Sequence, residues 1–268
     1  MLMKHTKIMK KMIISGLILI TVIYISFGVY LTVSQERFMY NPSPQDFESC
    51  EKFTEAEKIN HLGTRMYVKL YDNRPTVVMY HGNAGSACDR YFYADLLTEA
   101  NYGYIIVEYA GFSNDTQRPT HKLLKRDVEN VISYLKEKDI SDVFIIGRSI
   151  GTGVATYHTL LAQPNKLLLI SPFTNLSDTA GIQYWYYPTS ILVDNAFDNV
   201  ENLKNYSGKV TIIHGTADKI IPYKLAEDLF QSLSGEKDIV PIDGGNHHNL
   251  FTFNETHEAI NKFLTETY

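Results

Sequence analysis

"VFIIGRSIGTGVATYHTLLA" (residues 143–162) joins a run of buried-type apolar residues to a helix-forming stretch through five residues, Gly147 to Gly151. "VFII" reads as a strand covered on both faces, and "IGTGVATYHTLLA" reads as a helix. Ser149 is then at the apex of a sharp strand-to-helix turn. Gly147 and Gly151 let that turn pack closely, and the backbone can raise the hydroxyl above the sheet edge. The helix starting there aims N–H groups at the same spot, which favours negative charge. The competing reading is a phosphate-binding turn. "GRSIGTG" lacks the Lys-Ser/Thr ending of a P-loop and fits G-x-G-x-x-G poorly.

Working outward, the same strand–helix alternation repeats. Strands are expected at 76–80, 104–109, 143–147, 166–171, 210–215 and 238–243, all apolar runs. Between them, "HKLLKRDVENVISYLKEK" (121–138) keeps Leu124, Val128, Val131, Ile132 and Leu135 on one face. "PYKLAEDLFQSL" (222–233) does the same with Leu225, Leu229 and Leu233 behind Pro222. Such alternation predicts a mostly parallel α/β sheet with right-handed crossovers and helices on both faces. Functional residues in such sheets gather at the carboxyl ends of the strands.

A serine hydroxyl needs a base, and a base needs an acid to fix its tautomer. Of nine histidines, "DGGNHHNLF" (243–251) puts His247 and His248 in a glycine-bearing loop after the last expected strand. His247 fits G-x-x-H-x-x-L and is the expected base, with His248 the rival. Asp218, in the loop "GTADKIIP" (215–222), is the expected acid; its bland alternative is a helix cap. Asp243 is a second carboxylate, but it lies on the strand leading into His247. Two N–H groups complete the constellation, that of Ile150 from the turn itself and that of Asn83 from "YHGNAGSA" (80–87). One such donor is worth about 3 kcal/mol to an oxyanion. His81 is read as orienting that loop.

The N-terminus has a different character. Met12 to Val33 carries no charge over 22 residues, which as a helix is about 33 Å against a bilayer core of about 30 Å. Lys4, Lys7, Lys10 and Lys11 precede it, while Glu36 and Arg37 follow and cancel. The positive-inside rule then predicts a single-pass anchor, with residues 1–11 a basic cytoplasmic segment and the remainder across the membrane. The expected organisation is an anchor over 12–33, a linker along the membrane surface over 34–49 and one domain over 50–268. Residues 171–209, between two strands, are a candidate short cap. Its aromatic stretch supplies Tyr184, Trp185 and Tyr186, which either line an acyl pocket or simply cover the sheet.

The whole chain of 268 residues is 44% hydrophobic and 21% charged, with a formal charge of −5. That is globular composition with no basic excess for nucleic acid. Two cysteines, Cys50 and Cys88, leave one disulfide open outside the cytoplasm and are too few for a tetrahedral zinc site. No metal site is expected.

"MYNP" (39–42), "HGNAG" (81–85), "GRSIG", "GTADKIIP" and "GGNH" (244–247) together resemble the α/β-hydrolase superfamily over roughly residues 50–268. The likeness is nearest to its membrane-tethered group with serine-aminopeptidase-like domains, which includes acyl-protein thioesterases. The resemblance implies a Ser149–Asp218–His247 triad, an acyl-enzyme, and no metal or organic cofactor. The implied substrate is a small-molecule or lipid-like acyl ester or thioester, or an acylated protein. A peptidase acting on short peptides and a non-catalytic membrane-tethered scaffold remain as other readings. One stretch departs from the group: "EYAGFSND" (108–115) stands where relatives often carry D-Y-R-G-x-G.

Overall fold

The computed structural model describes residues 2–266. Residue 1 of the expected basic segment and residues 267–268 of the expected domain lie outside the described residues. Eight strands among those described form one sheet. They are β1 (Glu57–His61), β2 (Thr64–Lys69), β3 (Thr76–Tyr80), β4 (Gly103–Glu108), β5 (Val143–Arg148), β6 (Lys166–Ile170), β7 (Lys209–Gly215) and β8 (Lys237–Ile242). Their order across the sheet is β1-β2-β4-β3-β5-β6-β7-β8, parallel from β4 to β8. All six strands expected from apolar runs are present. Their continuous apolarity has its cause in two cores. On β3, Val78 and Tyr80 face one core while Val77 and Met79 face the other, as the two-residue period requires.

The helices are α1 (Leu2–Met39), α2 (Tyr91–Glu99), α3 (His121–Glu137), α4 (Ile150–Ala162), α5 (Leu176–Gln183), α6 (Thr189–Leu192), α7 (Asn199–Leu203), α8 (Tyr223–Ser232) and α9 (Asn254–Thr265). Helices α3, α4 and α8 cover one face of the sheet, and α2 and α9 the other. The face of α3 read from the sequence is the buried one, with Leu124, Val128, Val131 and Leu135 inside.

The antiparallel hairpin β1–β2 was not expected. "EKINH" is polar because it forms the sheet's edge and is half exposed. The two-residue turn, Leu62 and Gly63, has φ of 53° and 90°. Two positive φ values suit a type I′ hairpin, but leucine hides it where Asn or Asp would announce it.

The expected linker also needs correction. Residues 35–39 continue the helix, so α1 runs unbroken to Met39. No proline precedes Pro42, and Gly16 and Gly28 lie within the helix without ending it. Glu36 accepts the N–H of His121 at the start of α3, at 2.7 Å, and Gln35 Oε1 accepts the N–H of Asp194 at 2.9 Å. Beyond the helix, Tyr40 and Phe47 are buried in the domain, and Asn41–Pro42 pairs in parallel with Ala84–Gly85. The packed domain therefore begins before residue 50. Cys50 and Cys88 are joined by a disulfide, resolving the pairing that composition left open. The expected cap, between β6 and β7, contains α5, α6 and α7.

Candidate active site

Ser149 stands between β5 and α4 with φ 54° and ψ −124°, a backbone conformation rare for any residue with a side chain. The neighbouring glycines make it accessible. A Cβ on Gly151 would lie 2.2 Å from the Tyr80 carbonyl oxygen, and one on Gly147 would lie 2.6 Å from that of Gly151. Turn and strand backbones therefore touch directly, and the Ser149 N–H donates to the Ile170 carbonyl at 2.9 Å.

The loops after β7 and β8 meet this serine. His247 Nδ1 donates to Asp218 Oδ2 at 2.7 Å, and its Nε2 lies 3.0 Å from Ser149 Oγ, positioned to accept the hydroxyl proton. All three side chains are buried, His247 and Ser149 at 8% exposure. Neither rival makes these contacts: His248 is exposed and borders the cavity, and Asp243 accepts a hydrogen bond from the Thr216 hydroxyl. Asp218 Oδ1 accepts the N–H groups of Ile220 and Ile221 at 2.8 and 2.9 Å, both ahead of α8, which starts behind Pro222 without a side-chain cap, so the helix-cap alternative is not realised. Burial pushes its pKa up, but hydrogen bonds from His214, His247 and the Ile221 N–H outweigh burial. They hold the carboxyl well below the usual range.

Two supports were not singled out from sequence. His214, fully buried on β7, donates through Nε2 to the Ile221 carbonyl at 2.8 Å, with Asp218 Oδ2 3.4 Å away. An apolar strand ending in His was its only signal. Arg148 donates to the His247 carbonyl at 3.1 Å and tethers the histidine loop to the serine turn.

Asn83 and Ile150 both border the cavity above Ser149. The Ile150 N–H opens α4 and has no acceptor within that helix. The Asn83 carbonyl accepts from Asn41 and its side chain donates to Met39, so the backbone N–H is the donor that the reading assigns it. The departure at 108–115 supports this loop from below. Glu108, fully buried, accepts the Ala87 N–H at 3.0 Å and the Ser113 hydroxyl, with His81 Nε2 3.5 Å away. The Tyr109 hydroxyl donates to the His81 carbonyl at 2.9 Å.

The cavity measures about 520 Å³. Phe173, Leu176, Tyr184, Tyr187, Leu192 and Val193 form its cap side. The pocket-lining reading of Trp185 and Tyr186 is corrected. They lie outside the lining, Trp185 80% exposed and Tyr186 46% exposed, and Tyr187 takes the inner place. Tyr186 packs between the two, its ring centroid 5.7 Å from that of Trp185 and 5.1 Å from that of Tyr187. The opposite wall is α1, through Leu31, Thr32, Gln35, Phe38 and Met39.

No family model matches the chain. It is 29% identical over 184 residues to Lysophosphatidylserine lipase ABHD12 of Rattus norvegicus, covering 60% of this chain and 46% of that one. The match thus spans just under half the length of the rat protein. It is 25% identical over 240 residues to Alpha/beta hydrolase domain-containing protein 17B of Homo sapiens, covering 86% and 81%. Among solved structures, an esterase from Exiguobacterium antarcticum superposes with a TM-score of 0.60 at 18% identity, over 79% of this chain and 100% of that one. The chain has the α/β-hydrolase fold. Ser149, Asp218 and His247 follow one another in the chain order Ser…Asp…His expected of the fold.

Proposed function

We propose that the protein is a membrane-anchored serine hydrolase cleaving an acyl ester or thioester. The observation that carries this reading is His247, bridging Ser149 and Asp218 at the floor of an apolar cavity. Ser149 Oγ attacks the acyl carbonyl while His247 Nε2 takes its proton, and Asp218 stabilises the imidazolium. The N–H groups of Asn83 and Ile150 hold the oxyanion. As the tetrahedral intermediate collapses, His247 protonates the leaving alcohol or thiol. Water, deprotonated by His247, then adds to the acyl-enzyme and releases the acid and a free Ser149.

An aromatic and aliphatic lining suits an acyl chain better than a charged peptide terminus, and the likeness to a lysophosphatidylserine lipase and an esterase supports the same substrate class. The substrate is thus a lipid-like or small-molecule acyl ester or an acylated protein. Residues 12–33 anchor the chain in the membrane; the helix containing them is long and apolar enough to cross one. The basic residues before it and the Cys50–Cys88 disulfide support a cytoplasmic N-terminus with the domain on the extracytoplasmic side.

Reaction of the full chain in detergent with a fluorophosphonate probe tests this reading. The wild type is expected to label, and Ser149→Ala and His247→Ala to remain unlabelled while folded. A folded wild type that resists high probe concentration refutes an activated serine. The full chain is required because α1 supplies one wall of the cavity.

A further inference from the structure

The cap is registered against α1 at two heights. At one, Gln35 Oε1 accepts the Asp194 N–H, just past the end of the uncharged run at Val33. At the other, Tyr187 stacks on Tyr24 with ring centroids 4.5 Å apart, and its hydroxyl donates to the Tyr24 carbonyl at 2.8 Å. The Tyr24 hydroxyl donates in return to the Tyr186 carbonyl at 2.6 Å. Gly28 leaves the room for this contact: a Cβ there would lie 2.9 Å from the Tyr187 ring. Tyr24 precedes Val33 by nine residues, about 13 Å of helix rise. If residues 12–33 span the bilayer, this end of the cap lies below the membrane surface.

The cap has the composition for that position. Residues 179–193 carry no charge, and Asp178 and Asp194 bound them. Trp185 and Ile191 are each 80% exposed to solvent, beside Ile182 and Tyr186. In water such a cluster has no partner. Beside a membrane helix it matches the apolar part of a leaflet, which receives the aliphatic and aromatic surface that water disfavours. The polar boundary of the cap at Asp194 coincides with that of α1, so both surfaces change from apolar to polar at one level.

We infer that residues 181–193 insert into the leaflet on the domain's side, next to α1. We infer further that the cavity takes its substrate, a bilayer-resident acyl ester lipid, directly from that leaflet. Leu31 on α1 and Leu192 on the cap line the cavity at this level, so an acyl chain passes from lipid to pocket without crossing water. The inference rests on the anchored-hydrolase reading above, but its first test is independent of catalysis.

Trp185 is the only tryptophan, so its fluorescence reports the cap directly. The full chain is reconstituted into phosphatidylcholine vesicles with or without bromine on the upper acyl chain. Quenching by the brominated lipid, together with protection from aqueous iodide, is expected. Iodide quenching with no effect of bromine overturns the insertion. Ile191→Asp, at an exposed position outside the cavity lining, is expected to weaken bromine quenching. The same variant should slow hydrolysis of a long-chain ester embedded in the vesicle by about tenfold, while cleavage of a short soluble ester stays at the wild-type rate. Equal losses on both esters overturn lateral entry. Bromine quenching in a chain that cleaves no ester upholds the insertion and refutes the hydrolase reading.

Discussion

Ser149 holds a conformation costing of order 1–3 kcal/mol, and the surrounding backbone contacts impose it. The residues that answer it, His247 and Asp218, depend on one another for protonation state. Replacing Asp218 by Asn leaves the packing nearly unchanged but removes the acceptor that fixes the proton on His247 Nδ1. Turnover of an activated ester by Asp218→Asn is expected to fall by about 10⁴-fold with the fold intact. The same carboxylate links stability to pH. Its folded pKa is depressed, so its stabilisation is complete above the unfolded value of about 3.9 and is lost as the pH falls below it. Urea unfolding between pH 5 and 3 in detergent should therefore show a shallower acid decline in Asp218→Asn than in the wild type.

Among the elements, α1 has two roles that its sequence shows unequally. Its apolar run is plain from residue 12 onward, whereas its contribution to the cavity depends on which side meets the cap. That side is marked by Gly28, an expensive residue in a helix interior unless something packs against it. Gly28→Leu in the full chain is expected to displace Tyr187 and disturb the wall shared by α1 and the cap. In a series of esters of increasing acyl length, kcat/KM should fall about tenfold for long chains and little for acetyl. A uniform loss across the series would mean that the contact serves stability and not acyl binding.

For the whole molecule, the disulfide ties the segment after α1 to the turn that follows the HGNAG loop, over a sequence separation of 38. Loop-closure entropy puts its stabilisation at about 4 kcal/mol. Reduction, or the Cys50→Ser/Cys88→Ser pair, should lower unfolding stability toward that amount. Protein isolated under alkylating conditions should run faster on a non-reducing gel. No mobility difference on adding reductant would show that the two thiols are unbridged in the cell, and would count against an oxidising compartment.

The sequence by itself determined the parallel sheet, because strands covered on both faces must be continuously apolar and helices between them must keep one apolar side. It also marked the turn at Ser149, where packing tolerates only glycine on either side, and the loops that carry Asp218 and His247. Which histidine meets the serine, and that His214 and Arg148 brace the arrangement, depend on contacts between loops far apart in the chain. The polar edge hairpin stayed hidden because an exposed strand needs no apolar pattern and its turn has leucine at a positive φ. The inward Tyr187 and outward Trp185 follow from how the cap meets α1. Periodicity assigns side chains to faces within an element, but only the tertiary structure decides which face another element covers.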